Sequence, residues 1–121
     1  MNEAIKVGIE NTMEYTVTDD MSPGHLPVMV LSTPSMIQLI EGTCLTATKD
    51  FMDEGETTVG THVNVSHQGK AMSGETVKIE VRLKEINKRR LLFETSVTGP
   101  SGVVSLGTHE RAVVNFSRMG G

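Results

Sequence analysis

Hydrophobic and polar positions alternate in two different periods along this chain. Between residues 28 and 48 the run VMVLSTPSMIQLIEGTCLTAT carries a single charged residue, Glu41. Ser32-Thr33-Pro34 within it is a helix-start signal, because a hydroxyl can cap orphan backbone N–H groups and proline is tolerated in the first turn. A helix is therefore expected from near Pro34. Met36, Leu39, Ile40 and Thr43 then follow i, i+3, i+4 and i+7, while Ile37, Cys44, Leu45 and Ala47 add apolar surface on other sides. The pattern predicts a central, mostly buried helix.

Elsewhere the period is two. Met13, Tyr15 and Val17 alternate with Glu14, Thr16 and Thr18, which predicts a first strand within residues 5–17. Residues 19–27 hold Asp-Asp, Ser-Pro-Gly and a second proline and read as a loop with His25 exposed. Residues 50–56 form an acidic connector. From Thr57 the alternation returns, with Thr57, Val59, Thr61, Val63, Val65 and His67 on one face and Thr58, Gly60, His62, Asn64 and Ser66 on the other, so His67 is expected to close an apolar face. Residues 68–74 are a turn-rich connection. Val77, Ile79, Val81 and Leu83 against Lys78, Glu80, Arg82 and Lys84 mark an amphipathic strand. A polar turn at 87–89 leads to Leu91, Phe93, Thr95 and Val97, and Gly99-Pro100-Ser101-Gly102 leads to a last strand over 103–116. Residues 118–121 read as a fraying tail. Strand, helix, then strands joined by short turns give an α+β chain: a mostly antiparallel sheet with one long helix against it. The helix's apolar circumference implies that the sheet curls around it.

Composition narrows the function. At 121 residues the chain is expected to be one domain, 1–121, small enough that oligomerisation would help bury its apolar faces. The net charge is −4, Lys88-Arg89-Arg90 is the longest basic run, and one tyrosine with three phenylalanines offers little to stack on bases; nucleic acid is not expected as a partner. Cys44 is the single cysteine, which excludes an intrachain disulfide and reads as a small buried hydrophobe in a reducing compartment. The N-terminal residues lack a cationic start followed by an apolar core, and the apolar-rich run is broken by Ser32, Pro34 and Gln38. A cytoplasmic, soluble protein with no membrane partner is expected.

Glu41 is the residue to explain. A carboxylate in an apolar helix costs several kcal/mol of desolvation unless it is paired, hydrogen-bonded or protonated. Taken alone, Thr33 reads as a helix cap worth about 1 kcal/mol and His67 as a strand-end histidine, but an isolated acid and a histidine closing an apolar face together point to a site. His62 is expected to face away from His67, and His109 lies in the last strand beside Glu110 and Arg111, so no metal-ligand spacing emerges and no metal is expected. Gly42 marks a helix position where another backbone or a ligand comes close.

Three segments also resemble a known family. Ser32-Thr33-Pro34-Ser35-Met36-Ile37-Gln38-Leu39-Ile40-Glu41, then Val59-Gly60-Thr61-His62-Val63-Asn64-Val65-Ser66-His67, then Gly107-Thr108-His109-Glu110-Arg111-Ala112-Val113 are similar, in order and spacing, to the fluoroacetyl-CoA thioesterase group of hotdog-fold proteins. The resemblance spans roughly residues 10 to 116 and implies a hotdog fold, an antiparallel sheet wrapped around one long central helix. It implies an acyl-CoA thioester hydrolase with Thr33, Glu41 and His67 as catalytic residues and Gly60, His67 and Arg111 around the substrate. No cofactor is implied beyond the coenzyme A of the substrate, and the assembly implied is a homodimer or a higher oligomer. The loop at 19–26 has no aromatic and Gly42 follows Glu41, where the family carries bulky aromatics, so an acyl group other than fluoroacetyl is expected.

Thioester hydrolysis needs a nucleophile, a proton acceptor, a donor to the leaving thiol and oxyanion stabilisation. Two routes fit: Thr33, or a water it positions, attacks while His67 and Glu41 move the proton, or Glu41 attacks and forms an anhydride. Free N–H groups at the helix start, or near Gly60, would hold the oxyanion. A non-catalytic acyl-CoA or small-ligand binding hotdog protein and a hotdog enoyl-CoA hydratase are the alternatives. On a continuous helix Thr33 and Glu41 stand about 12 Å apart along the axis at about 1.5 Å per residue. Either Thr33 folds back before the helix or a two-fold partner bridges the gap, and the partner is expected.

Overall fold

The computed structural model describes residues 1–118. Ser32 is extended (φ −76°, ψ 158°), and its hydroxyl accepts the Ser35 N–H at 3.2 Å, which starts helix α1, Thr33–Thr48, with Pro34 in the first turn. The cap therefore falls on Ser32 and leaves the Thr33 hydroxyl free for other partners. Met36, Ile40, Thr43, Cys44 and Thr48 form the buried side of α1. Gln38 and Thr46 are exposed and Ile37, Glu41 and Leu45 half-buried, so the helix is buried along one broad stripe and not all round as its apolar content predicts.

Strands β1 (Glu10–Thr16), β2 (Glu56–Val65), β3 (Thr76–Asn87), β4 (Arg90–Gly99) and β5 (Gly102–Asn115) make one five-stranded sheet in the order β1-β3-β4-β5-β2. All neighbours are antiparallel. The first strand begins at Glu10, later than its sequence pattern predicts, because turns occupy the preceding residues and Gly8 has φ +102°; Ile5 and Ile9 still pack on the core. Inward residues Val77, Ile79, Val81 and Leu83 of β3 meet Leu91, Phe93 and Val97 of β4 and the buried side of α1 in one cluster. Because α1 touches both edge strands, β1 and β2, as well as β3 and β4, the sheet must curl around it. This is the α+β architecture that the order of elements predicts.

β2 departs from its predicted alternation. Gly60 pairs with Arg111 but His62 pairs with Glu110, so Thr61 is an extra residue in a β-bulge. Cross-strand partners share a face, hence Thr58 and Gly60 point inward with Val113 and Arg111, and after the bulge Val63 and Val65 point inward with His109 and Gly107. The single face expected for Thr57 through His67 is thus split in two. The strand also ends at Val65, and His67 sits in the segment that follows. Of the predicted tail, Arg118 lies in a short turn over Phe116–Arg118, and 119–121 lie outside the described residues.

Gly107 shows why the last motif opens on glycine. A β-carbon there would lie 2.1 Å from the Asn64 carbonyl oxygen and 2.6 Å from Val65 Cα, inside the β2 backbone. Overpacking of this kind costs typically about 1–3 kcal/mol. Gly107→Ala should therefore lower the melting temperature by at least about 5 °C, read by circular dichroism; an unchanged melt would show that β2 can slide aside.

Candidate active site

The segment after β2 continues along β5. Ser66 N–H donates to the Leu106 carbonyl (2.9 Å), and Gln68 N–H (2.8 Å) and Gly69 N–H (3.2 Å) both donate to that of Val104. Gly69 permits this closeness, since a β-carbon there would stand 2.2 Å from the Val103 carbonyl oxygen. On the other side, Leu31 N–H donates to Ala71 O and Ser73 N–H to Met29 O, each at 2.9 Å, so the chain entering α1 is tied to the same loop. These two sets of bonds bring Thr33 Oγ1 to 2.7 Å from His67 Nδ1. When Nδ1 is unprotonated the hydroxyl donates to it. The pair lies in an open cleft of about 630 Å³ whose walls include Pro23, His25, Leu26 and Val30 on one side and Gln68 and Lys70 on the other.

In the first turn, Pro34 has no N–H, the Ser35 N–H is taken by Ser32 Oγ and the Met36 N–H by the Ser32 carbonyl. The Thr33 N–H is the remaining donor there, beside its own hydroxyl.

Glu41 gathers a second group, two turns along α1. Its Oε2 is 3.8 Å from Arg111 Nη1, and the side chain is 40% exposed while that of Arg111 is 5% exposed. The expected buried carboxylate is thus at the helix rim, half open to solvent and facing a buried guanidinium. Arg111 Nε donates to Thr58 Oγ1 and Nη2 to the Thr58 carbonyl, both at 2.8 Å, and Nη1 contacts His109 Nε2 at 3.1 Å. His109 Nδ1 lies 2.8 Å from the His62 carbonyl. A β-carbon on Gly60 would come within 3.1 Å of both Glu41 Oε2 and His109 Cε1, so the missing side chain makes room for this group.

The predicted residues therefore fall into two sets within one chain: Thr33 with His67, and Glu41 with Gly60 and Arg111. α1 runs unbroken between them, which keeps Thr33 and Glu41 about 12 Å apart. The pairing of Glu41 with His67 weighed from the sequence does not occur inside a single chain. His109 and Thr58 are members that the sequence reading passed over. Their signal was parity: His109, Arg111 and Val113 share one face of β5, the face that receives Thr58. Gly42 has no backbone against it; a β-carbon there would meet only the Tyr15 hydroxyl, at 3.9 Å. A groove of about 520 Å³ on the outer face of the sheet is lined by charged residues such as Glu10, Glu80, Arg82 and Glu94 and contains neither set. Among the described residues no three His, Cys, Asp or Glu side chains gather as a metal site.

Residues 10–117 match the profile of a family described as fluoroacetyl-CoA-specific thioesterase. The chain belongs to this family. It is 28% identical over 127 residues to the fluoroacetyl-CoA thioesterase of Streptantibioticus cattleyicolor, covering 98% of this chain and 91% of that protein. The solved structure of the fluoroacetyl-CoA thioesterase FlK superposes with a TM-score of 0.92 at 26% identity, over 98% of this chain and 94% of that one. A mutant of FlK in complex with fluoroacetate and CoA gives 0.91 at 26% identity, over 95% and 99%. A hot-dog-like protein from Thermanaerovibrio acidaminovorans gives 0.89 at 21% identity, over 98% and 90%, and shows the shared fold. The curled sheet and central helix of this thioesterase-family chain are thus the hotdog fold.

Burial tunes His109 and also Cys44, which feels the charges of Glu41 and Arg111. It pushes the Cys44 thiol up to about 12, with Arg111 opposing the shift and Glu41 adding to it. It also lowers the His109 pKa, opposed by the His62 carbonyl and assisted by Arg111. The unfolded chain then binds the His109 proton at higher pH than the folded one, so this group makes stability rise with pH. Its contribution should be complete above the ordinary imidazole pKa of about 6.5 and be lost as pH falls through the lower folded value. His109→Gln cannot take that proton. Its melting temperature should fall less steeply than wild type between about pH 7 and pH 5, and parallel slopes would remove His109 from the acid limb.

Proposed function

We propose that this chain, as a single hotdog thioesterase-like domain over 1–121, hydrolyses a small acyl-CoA thioester. The catalytic residues are Thr33, Glu41 and His67, and Gly60, His67 and Arg111 surround the substrate. The observation that carries this reading is the 2.7 Å contact between Thr33 Oγ1 and His67 Nδ1 in an open cleft beside the first turn of α1. His67 takes the proton as a water held by Thr33 attacks the thioester carbonyl, or as the Thr33 oxygen attacks it to give a Thr33 ester that a water then cleaves, restoring the hydroxyl. The C–S bond breaks and the proton passes to the coenzyme A sulfur. The Thr33 N–H donates to the oxyanion, and Glu41 orients the water or, in a second route, attacks in its place to give an anhydride that water then cleaves. A β-carbon on Gly42, the residue after Glu41, would meet nothing nearer than the Tyr15 hydroxyl at 3.9 Å, and this lack of a bulky side chain supports an acyl group other than fluoroacetyl. The single cysteine, held as a buried free thiol, fits the proposed cytoplasmic location. Among the described residues no helix is long and apolar enough to cross a membrane.

The active assembly is proposed to be a homodimer that shares each site. Thr33 and Glu41 lie eight positions apart on one helix, and the edge strand β2 beside Glu41 leaves Thr61, His62 and Asn64 exposed, together with Val63, whose inward face is itself partly open at this edge. A two-fold contact along that edge would carry Glu41 of one chain toward Thr33 and His67 of the other.

Release of free thiol from a panel of acyl-CoAs tests the activity: a binding protein would release none, and a hydratase would consume only enoyl esters without releasing thiol. Glu41→Gln and His67→Ala should each lower turnover by at least about a hundredfold with cooperative melts retained; near-wild-type turnover in either removes that residue from the chemistry. Thr33→Ala and Glu41→Ala, each inactive, should regain roughly a quarter of wild-type activity when unfolded together and reassembled in equal amounts, since half the dimers then hold one intact site. Proven subunit exchange with no regained activity would overturn the shared site.

A further inference from the structure

Arg111 carries only donors and keeps its charge, so at its 3.1 Å contact the guanidinium must donate and His109 Nε2 must be bare. The ring's other nitrogen then holds the hydrogen and donates to the His62 carbonyl at 2.8 Å. Both ring nitrogens are thus specified, and His109 is a neutral imidazole with its proton on Nδ1. Its carbonyl partner belongs to the residue that follows the extra Thr61 of the bulge. On the guanidinium, Nε and Nη2 are fixed by Thr58, and Nη1 has two hydrogens. His109 takes one of them. The other is the hydrogen available to Glu41, whose Oε2 lies 3.8 Å from the same Nη1. Glu41, His109 and Arg111 also converge on the space over Gly60, so a shift in one ring or fork is felt by the carboxylate.

We propose that His109 is a positioning residue for Glu41: as the neutral Nδ1–H tautomer it accepts from Arg111 Nη1 and so sets the guanidinium edge that holds the Glu41 carboxylate in place for the reaction. The inference rests on the proposed role of Glu41 at the thioester. Because His109 is buried and meets Arg111 only at the Nη1 edge that faces Glu41, while Thr58 keeps hold of the rest of the fork, it affects the chemical step and leaves coenzyme A binding alone.

Two side chains divide the functions of the ring. Asn at position 109 keeps a donor near the His62 carbonyl but lacks the acceptor that faces Arg111, whereas Gln can present its amide oxygen there. His109→Asn should lower kcat by about ten- to a hundredfold with the inhibition constant for free coenzyme A unchanged, and His109→Gln should recover most of the loss. In a Glu41→Gln background His109→Asn should lower residual turnover no further, because the carboxylate it positions is gone. Wild-type kcat in His109→Asn while Glu41→Gln is inactive overturns the inference and leaves the role of Glu41 standing. Full activity in Glu41→Gln overturns that role and the inference with it. A further loss in the double variant assigns His109 a structural part and also overturns the inference. The tautomer is read without any variant from the ring nitrogen NMR shifts of the wild-type protein: Nδ1–H with a bare Nε2 is expected at neutral pH, and an Nε2–H tautomer or an imidazolium overturns the inference even if the variants do not fold.

Discussion

A sixteen-residue helix with apolar residues on most of its turns has to be buried, and in this chain a single sheet has to bury it. That constraint sets the rest. The sheet curls until its two edge strands both reach α1, which puts the helix's start against the loop after β2 and its middle against the β2–β5 pair. Polar groups that would be far apart on a flat sheet are brought to the rim of one helix. They cannot be brought together there, because a straight helix is a ruler: it fixes a separation that side chains of ordinary length do not span.

Division of labour between neighbouring residues follows from the same geometry. Ser32 spends its hydroxyl on the helix start, and Thr33, one residue later, turns its own toward His67. At the other end, Arg111 is held by Thr58 and His109 so completely that only its edge toward Glu41 is left. Thr33 and Glu41, the residues proposed as reactive, are thus each backed by a neighbour that holds the structure around them. The β-bulge at Thr61 serves this arrangement, since it shifts the alternation of β2 so that Gly60 and Val63 both lie on the face of the sheet that carries Arg111 and His109.

Where the sequence was legible, local chemistry decided the structure. Ser32-Thr33-Pro34 placed the helix start within a residue, and strict alternation in β3 and β4 gave strands whose inward residues form the core. The order of elements was enough for the antiparallel sheet. The bulge was hidden because Thr, Val, Gly and His fit either face of a strand, so an inserted residue leaves no break in the pattern. Glu41 was expected to be buried because composition counts apolar neighbours along the chain but does not say which side of a helix meets the sheet. His109 was weighed as a metal ligand and set aside, although its two-residue spacing from Arg111 already placed both on one face. The separation of Thr33 from Glu41, by contrast, was readable from numbering alone.

The buried cysteine bears on what happens after the proposed reaction. Hydrolysis of a coenzyme A ester leaves a free thiol beside the protein, and thiols exchange with disulfides through their thiolate forms, so a reactive protein cysteine would be open to capture as a mixed disulfide once that pool is oxidised. Cys44 is fully buried in α1 and its thiol is pushed up to about 12, which leaves almost no thiolate at neutral pH and no route for a bulky partner to reach it. As the chain's only cysteine, it leaves no accessible protein thiolate for the thiol of the proposed reaction to pair with.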